Sequence, residues 1–326
     1  MRVIWNYLRK KSSKSSASGQ KGDIMNNRVK IVEIGPRDGF QSVKEFIPTE
    51  VKLEIIDGIV KAGCKKIQTT SFVSEKAIPQ MKDAGIVART VLEKYSDVDF
   101  FALVPNFYGA KAAVESGLKE ISPVMSLSVS HNLANVKRTH EQSLEEIQKI
   151  RQAFPDIKIT QDIATVFGCP FEGEMKIDAL LELIEKVRKI GIDSFTLCDT
   201  VGVAYPSLIE KVFQTVKKEF PTTEFNGHIH DTRNMGILNS YVALQNGADS
   251  IQVAIGGLGG CPFAPGASGN TSSEDFVYML NKSGYETGID FGQLLNTAKY
   301  AKKMISGSFS GHHINIEESP CMVTQS

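Results

Sequence analysis

From residue 29 onward the chain alternates short apolar, β-rich runs with longer stretches whose apolar residues recur at helical spacing. The β-rich runs fall at 29–34, 66–70, 99–104, 121–129, 157–163, 194–197, 224–229 and 249–255. Helical patterns separate them at 48–62, from 78 onward, and at 109–116, 139–154, 179–190, 207–220 and 234–246. Several helices stop on a glycine just before the next run, as at Gly63, Gly191 and Gly247, where a left-handed cap residue is needed. Eight βα units with no long linker predict a closed (β/α)8 TIM barrel, an α/β fold; a doubly wound sheet is the alternative reading of the same pattern. Helical patterns at 273–280 and 291–304 add C-terminal helices to a catalytic domain spanning 25–305, and 306–326 reads as a flexible tail. Residues 1–24, basic and serine-rich, read as a disordered leader, or alternatively as an organelle-targeting segment.

Composition narrows the classes. Of 326 residues, 37 are Lys or Arg and 37 are Asp or Glu, a balance that argues against a nucleic-acid or membrane-surface protein. The five cysteines are odd in number and widely spaced, which suits reduced thiols in a cytoplasmic protein, or in an organellar matrix if the leader is a targeting segment.

In a barrel, chemistry belongs at the carboxyl ends of the strands. The seventh run ends in His228-Ile229-His230, whose rings share one side because strand residues two apart do. With Asp38 after the first run and Asn270 after the last, these histidines form a mixed N/O set suited to Mg2+ or Mn2+, and one that also admits Zn2+ or Co2+. Arg37 would stabilise negative charge developing on a substrate oxygen, or else form an ion pair with Glu33 or Asp199. Asp199 and Thr200 end the sixth run, and Gln68, Thr70 and Ser71 end the second. His131, with Lys137, Arg138 and His140, would meet an anionic substrate or simply start a solvated helix. The glycine-rich loop 256–270, carrying Gly259, Gly260 and Cys261, fits a lid and lacks either nucleotide fingerprint. Cys261 within it is a candidate acid or proton relay, while His312 and His313 in the tail are expected to have no ligand role.

Four stretches resemble the hydroxymethylglutaryl-CoA lyase family: Glu33-Ile34-Gly35-Pro36-Arg37-Asp38-Gly39, Thr70-Ser71-Phe72-Val73-Ser74, Gly227-His228-Ile229-His230-Asp231-Thr232, and Gly257 through Asn270 with Gly260-Cys261-Pro262-Phe263 inside it. The resemblance covers residues 29 to about 288. It implies a TIM-barrel carbon–carbon lyase that cleaves 3-hydroxy-3-methylglutaryl-CoA to acetyl-CoA and acetoacetate with a divalent cation, commonly as a homodimer. It also implies Asp38, His228, His230 and Asn270 as metal ligands, Arg37 as the enolate-stabilising arginine, Cys261 as a proton-transfer thiol, and Asp199 near the substrate hydroxyl. Asp199 and His230 stay open as rival bases to Asp38. Some positions depart from the lyases: Gln68 stands where an acid is usual, Ala77 where a tryptophan is usual, and Ser128-Val129-Ser130-His131 looks more like the synthase branch that condenses acetyl-CoA with a 2-oxo acid. Those changes predict preserved metal chemistry, and keep as alternatives a related lyase or aldolase on a different 3-hydroxy acid or acyl-CoA, a condensing synthase, and a non-catalytic metal-binding interaction protein.

Overall fold

The computed structural model describes residues 27–260 and 269–317; the leader expected at 1–24 lies outside them. Parallel strands form one closed ring. They are β1 (Ile31–Glu33), β2 (Lys66–Ser71), β3 (Asp99–Val104), β4 (Glu120–Ser126), β5 (Lys158–Ile159 and Gln161–Ala164, interrupted at Thr160), β6 (Ser194–Asp199), β7 (Glu224–Ile229) and β8 (Ser250–Val253). β8 pairs with β1 in register Ile31↔Ile251, and β3 pairs with β4, so no edge remains and the barrel expectation holds over the doubly wound one.

The helices are α1 (Thr49–Lys61), α2 (Ala84–Lys94), α3 (Phe107–Glu115), α4 (Val129–Val136), α5 (His140–Ala153), α6 (Ile177–Lys189), α7 (Pro206–Glu219), α8 (Gly236–Gln245), α9 (Ser273–Lys282) and α10 (Phe291–Met304). Helix α5 starts on a capping box in which Thr139 and Gln142 satisfy each other's backbone amides. The last helix, α10, packs on α1 so closely that a Cβ on Gly58 would sit 2.6 Å from the Thr297 side chain. Most of the apolar core lies between strands and helices, with a small separate cluster of Val32, Ile34, Phe101 and Ala254.

Two expectations fail locally. The fourth run was expected to stay extended through residue 129, but β4 ends at Ser126 and α4 begins at Val129. Ser128 causes the turn, because its hydroxyl accepts the His131 amide and caps the new helix. Residues 306–317 are not a free tail. Gly311 donates to the Gly256 carbonyl, Ser310 to the Gly257 carbonyl, and Asp275 accepts the amides of His312 and His313. Both imidazoles also lie on the Asp275 carboxylate, so these histidines do have a partner. This strap braces the turn after β8 that leads into the functional site.

Lys52 and Asp83 form a buried ion pair at 2.6 Å, with side-chain exposures of 3% and 5%. Replacing Asp83 by alanine strands a buried ammonium and is expected to cost about 3–5 kcal/mol. A fall in the urea unfolding midpoint at unchanged slope would register it.

Candidate active site

The carboxyl ends of the strands open into a cavity of about 470 Å3, lined among others by Arg37, Asp38, Gln41, His131, Arg138, Asp162, Cys198, Thr200, His228, His230 and Gly260. Each reaches it for a local reason. A single π-helical turn, Gly35–Gly39, follows β1 and delivers Arg37 and Asp38. A buried Glu33 holds that turn by accepting the Gly35 and Ile255 amides, and burial raises its pKa to about 7. Beyond the glycine loop the chain returns at residues 269–272: Asp231 donates to the Gly269 carbonyl and Thr271 to the Ile229 carbonyl. This sets Asn270 beside His230, where the two form an isolated antiparallel bridge. Gly259 is needed there, since a Cβ on it would lie 2.5 Å from the Asn270 carboxamide.

Three of the four expected ligands converge. Ligand atoms of Asp38, His228 and His230 all lie within 4.8 Å of one another. Asn270 lies beside them, its Nδ2 donating to Asp38 Oδ2 at 2.7 Å. The Nε2 atoms of His228 and His230 are 3.0 Å apart, the separation that two nitrogens at roughly 2.1 Å from one ion make across a right angle. Nδ1 of His228 lies 2.9 Å from Gln252 Oε1, which fixes the proton on Nδ1 and leaves the Nε2 lone pair available. Burial, reinforced by His230, lowers the His228 pKa to about 4; burial lowers that of His230 as well, so both rings are neutral. Burial works against ionised Asp38, yet Arg37 and the two imidazoles outweigh it and hold its pKa at about 2. Two neutral imidazoles, an ionised carboxylate and a carboxamide fit a divalent cation.

Arg37 is 7% exposed and does not pair with Glu33 or Asp199. Its Nε donates to Gln68 Oε1 and its Nη1 to Asp38 Oδ1, while Gln68 Nε2 donates to Ser122 at 2.7 Å. Gln68 therefore positions the arginine from beneath the cavity instead of lining it. Thr70 and Ser71 are likewise absent from the lining; they are buried on Met81 and Gln41. Asp199 departs most from its expected role. Its carboxylate accepts the Val203 and Ala204 amides, which turns it into the loop after β6 and away from the cavity. His131 and Thr200 do line the cavity; His131 Nδ1 lies 2.7 Å from Ser126 Oγ, and Thr200 accepts the Thr165 amide. Cys261 falls outside the described residues, whereas Cys198 at the end of β6 reaches the wall.

Asp162 was not anticipated. It is 4% exposed, lines the cavity, and its Oδ1 has no hydrogen-bond partner among the described residues. Burial raises its pKa to about 6, against the pull of Arg37 and the Thr196 and Ser122 hydroxyls. Its signal in the sequence is the pair Gln161-Asp162 interrupting an otherwise apolar run.

Comparison with known proteins agrees with this geometry. The family model described as HMGL-like matches residues 28–300. The chain belongs to this family. It is 35% identical over 294 residues to the hydroxymethylglutaryl-CoA lyase YngG of Bacillus subtilis, covering 90% of this chain and 98% of that one. It is 38% identical over 275 residues to the mitochondrial hydroxymethylglutaryl-CoA lyase of Gallus gallus, covering 84% and 92%. An HMG-CoA lyase from Acinetobacter baumannii, solved with coenzyme A and 3-methylmalate, superposes with a TM-score of 0.84 at 34% identity, covering 91% of this chain and 100% of that one. As an HMGL-like protein, the chain is a metal-dependent carbon–carbon lyase.

Proposed function

We propose that this lyase cleaves 3-hydroxy-3-methylglutaryl-CoA to acetyl-CoA and acetoacetate, with Mg2+ or Mn2+ as the ion. The observation that carries the reading is the meeting of Asp38, His228 and His230 beside Arg37 in one cavity. Asp38, His228, His230 and Asn270 would hold the cation, which supplies Lewis acidity toward the substrate oxygens.

The reaction removes the proton of the tertiary hydroxyl, breaks the C2–C3 bond, and leaves its electron pair on the acetyl-CoA fragment as an enolate. The new ketone is acetoacetate, and protonation of the enolate carbon completes acetyl-CoA. Arg37 acts where that charge develops: among the described residues Gln68 and Asp38 occupy two of its five N–H donors, and the others remain for an oxyanion. With Asp199 committed to loop amides, Asp38 and His230 remain as acceptors of the hydroxyl proton. Cys261, in the loop joining Gly260 to Gly269, is our assignment for the thiol that returns a proton to carbon.

A homodimer and a cytoplasmic location complete the reading; family members divide between mitochondrial and cytoplasmic proteins. The test is release of acetyl-CoA and acetoacetate from the purified chain supplied with Mg2+ or Mn2+. Dialysis against EDTA should abolish turnover and either ion should restore it. Absence of cleavage by protein that has bound the ion would contradict the reading.

A further inference from the structure

Arg138 is a cation in the cavity wall to which the proposed reaction gives no task. The chain reverses sharply to place it there. Lys137, at the end of α4, takes a left-handed backbone with φ 59°, a region that disfavours any residue with a side chain. Buried Asn132 holds the reversal: its Nδ2 donates to the Arg138 carbonyl at 2.8 Å, and its Oδ1 accepts the Ser126 amide at 2.9 Å. The guanidinium is steadied at the far end, where Nη1 donates to the Pro105 carbonyl at 2.9 Å. Glu146 Oε1 is 3.8 Å from Nη2, too far for a hydrogen bond, and accepts the Phe107 amide at 2.6 Å instead. The side chain is 26% exposed, so its charge is held in place yet open to the cavity. Backbone strain kept at such a position points to a use for that charge.

The chemistry of the substrate says which anion meets it. The acyl group of the proposed substrate carries a C3 hydroxyl, a thioester carbonyl and a free carboxylate. The hydroxyl belongs at Asp38, His228 and His230, and the carbonyl oxygen, which becomes the enolate, at Arg37. The carboxylate, the only permanent charge on the acyl group, has no partner yet. The phosphates of coenzyme A are poor candidates: an extended pantetheine arm sets the first of them roughly 15 Å beyond the sulfur, outside a cavity of about 470 Å3.

Resting on the lyase reading, we propose that Arg138 is a substrate-binding residue whose guanidinium donates to the free carboxylate of the acyl group, so that the chain selects 3-hydroxyacyl-CoA substrates with a charged far end over neutral ones. The planar fork of arginine matches the two oxygens of a carboxylate. Pro105 takes one N–H of that fork, and no other hydrogen bond among the described residues competes for the rest.

The experiment compares kcat/KM of the Mn2+-loaded enzyme for 3-hydroxy-3-methylglutaryl-CoA and for its carboxamide analogue, in which CONH2 replaces the free carboxylate; cleavage of either releases acetyl-CoA. Wild type should favour the carboxylate by about tenfold to a hundredfold, the effect of charge-assisted hydrogen bonds. Arg138→Gln should narrow that preference by about tenfold or more. Arg138→Lys, which keeps the charge and gives up the fork, should fall between the two, and decides the matter if the glutamine variant does not fold. The ratio between substrates is the readout, since loss of the Pro105 contact alone would lower both rates together. A wild type that does not favour the carboxylate, or a preference that neither variant moves, overturns this inference while the lyase reading stands. No acetyl-CoA from either compound overturns both.

Discussion

Arg37→Gln is expected to lower kcat for thioester cleavage by about a hundredfold to a thousandfold, with KM nearly unchanged. The guanidinium is buried, gripped by Gln68 and Asp38, and set in the cavity wall, so it meets a developing enolate without reorganising. Glutamine is neutral and shorter, and cannot supply that charge. Because the substrate gains the negative charge only as the C–C bond breaks, the loss belongs in kcat more than in KM. Steady-state kinetics of acetyl-CoA release, with Mn2+ binding measured alongside, separates this from loss of the ion. An equal rise in KM with kcat intact would mean that Arg37 merely binds the ground state.

His230→Ala should act through the cation instead. Removing one of two adjoining imidazoles leaves His228, Asp38 and Asn270, and Mn2+ affinity should fall by at least about a hundredfold. Turnover at limiting metal should fall with it, and excess Mn2+ should recover part of it. Calorimetric titration of variant and wild type checks the first statement, and rate against Mn2+ concentration checks the second. Unaltered Mn2+ affinity in the variant would remove His230 from the ligand set.

The barrel was legible because its units are local: alternating apolar runs, helix-period stretches and glycine stops each declare themselves within a dozen residues. The His228–His230 pair was legible for the same reason, since strand geometry alone puts both rings on one side. What the chain hid depends on distant partners. Asp199 looks catalytic at a strand end, but the amides of Val203 and Ala204, folded back after β6, claim its carboxylate. Asp162 looks like an incidental polar residue until closure of the ring turns it into the cavity opposite Arg37. The end at 306–317 carries few apolar residues to announce packing, yet Asp275 on α9 gathers His312 and His313 and seats the strap. Helix α4 was masked by Val129, a β-branched residue that prolongs an apolar run, while the Ser128 cap that ends the strand is a weaker signal.

Turnover in this barrel depends on four side chains sharing one divalent ion. Crystals of the full chain soaked in Mn2+ and measured at a wavelength where manganese scatters anomalously test this directly. A single strong peak between Asp38, His228, His230 and Asn270 is the predicted result. Anomalous density elsewhere, with none among these residues, would contradict it.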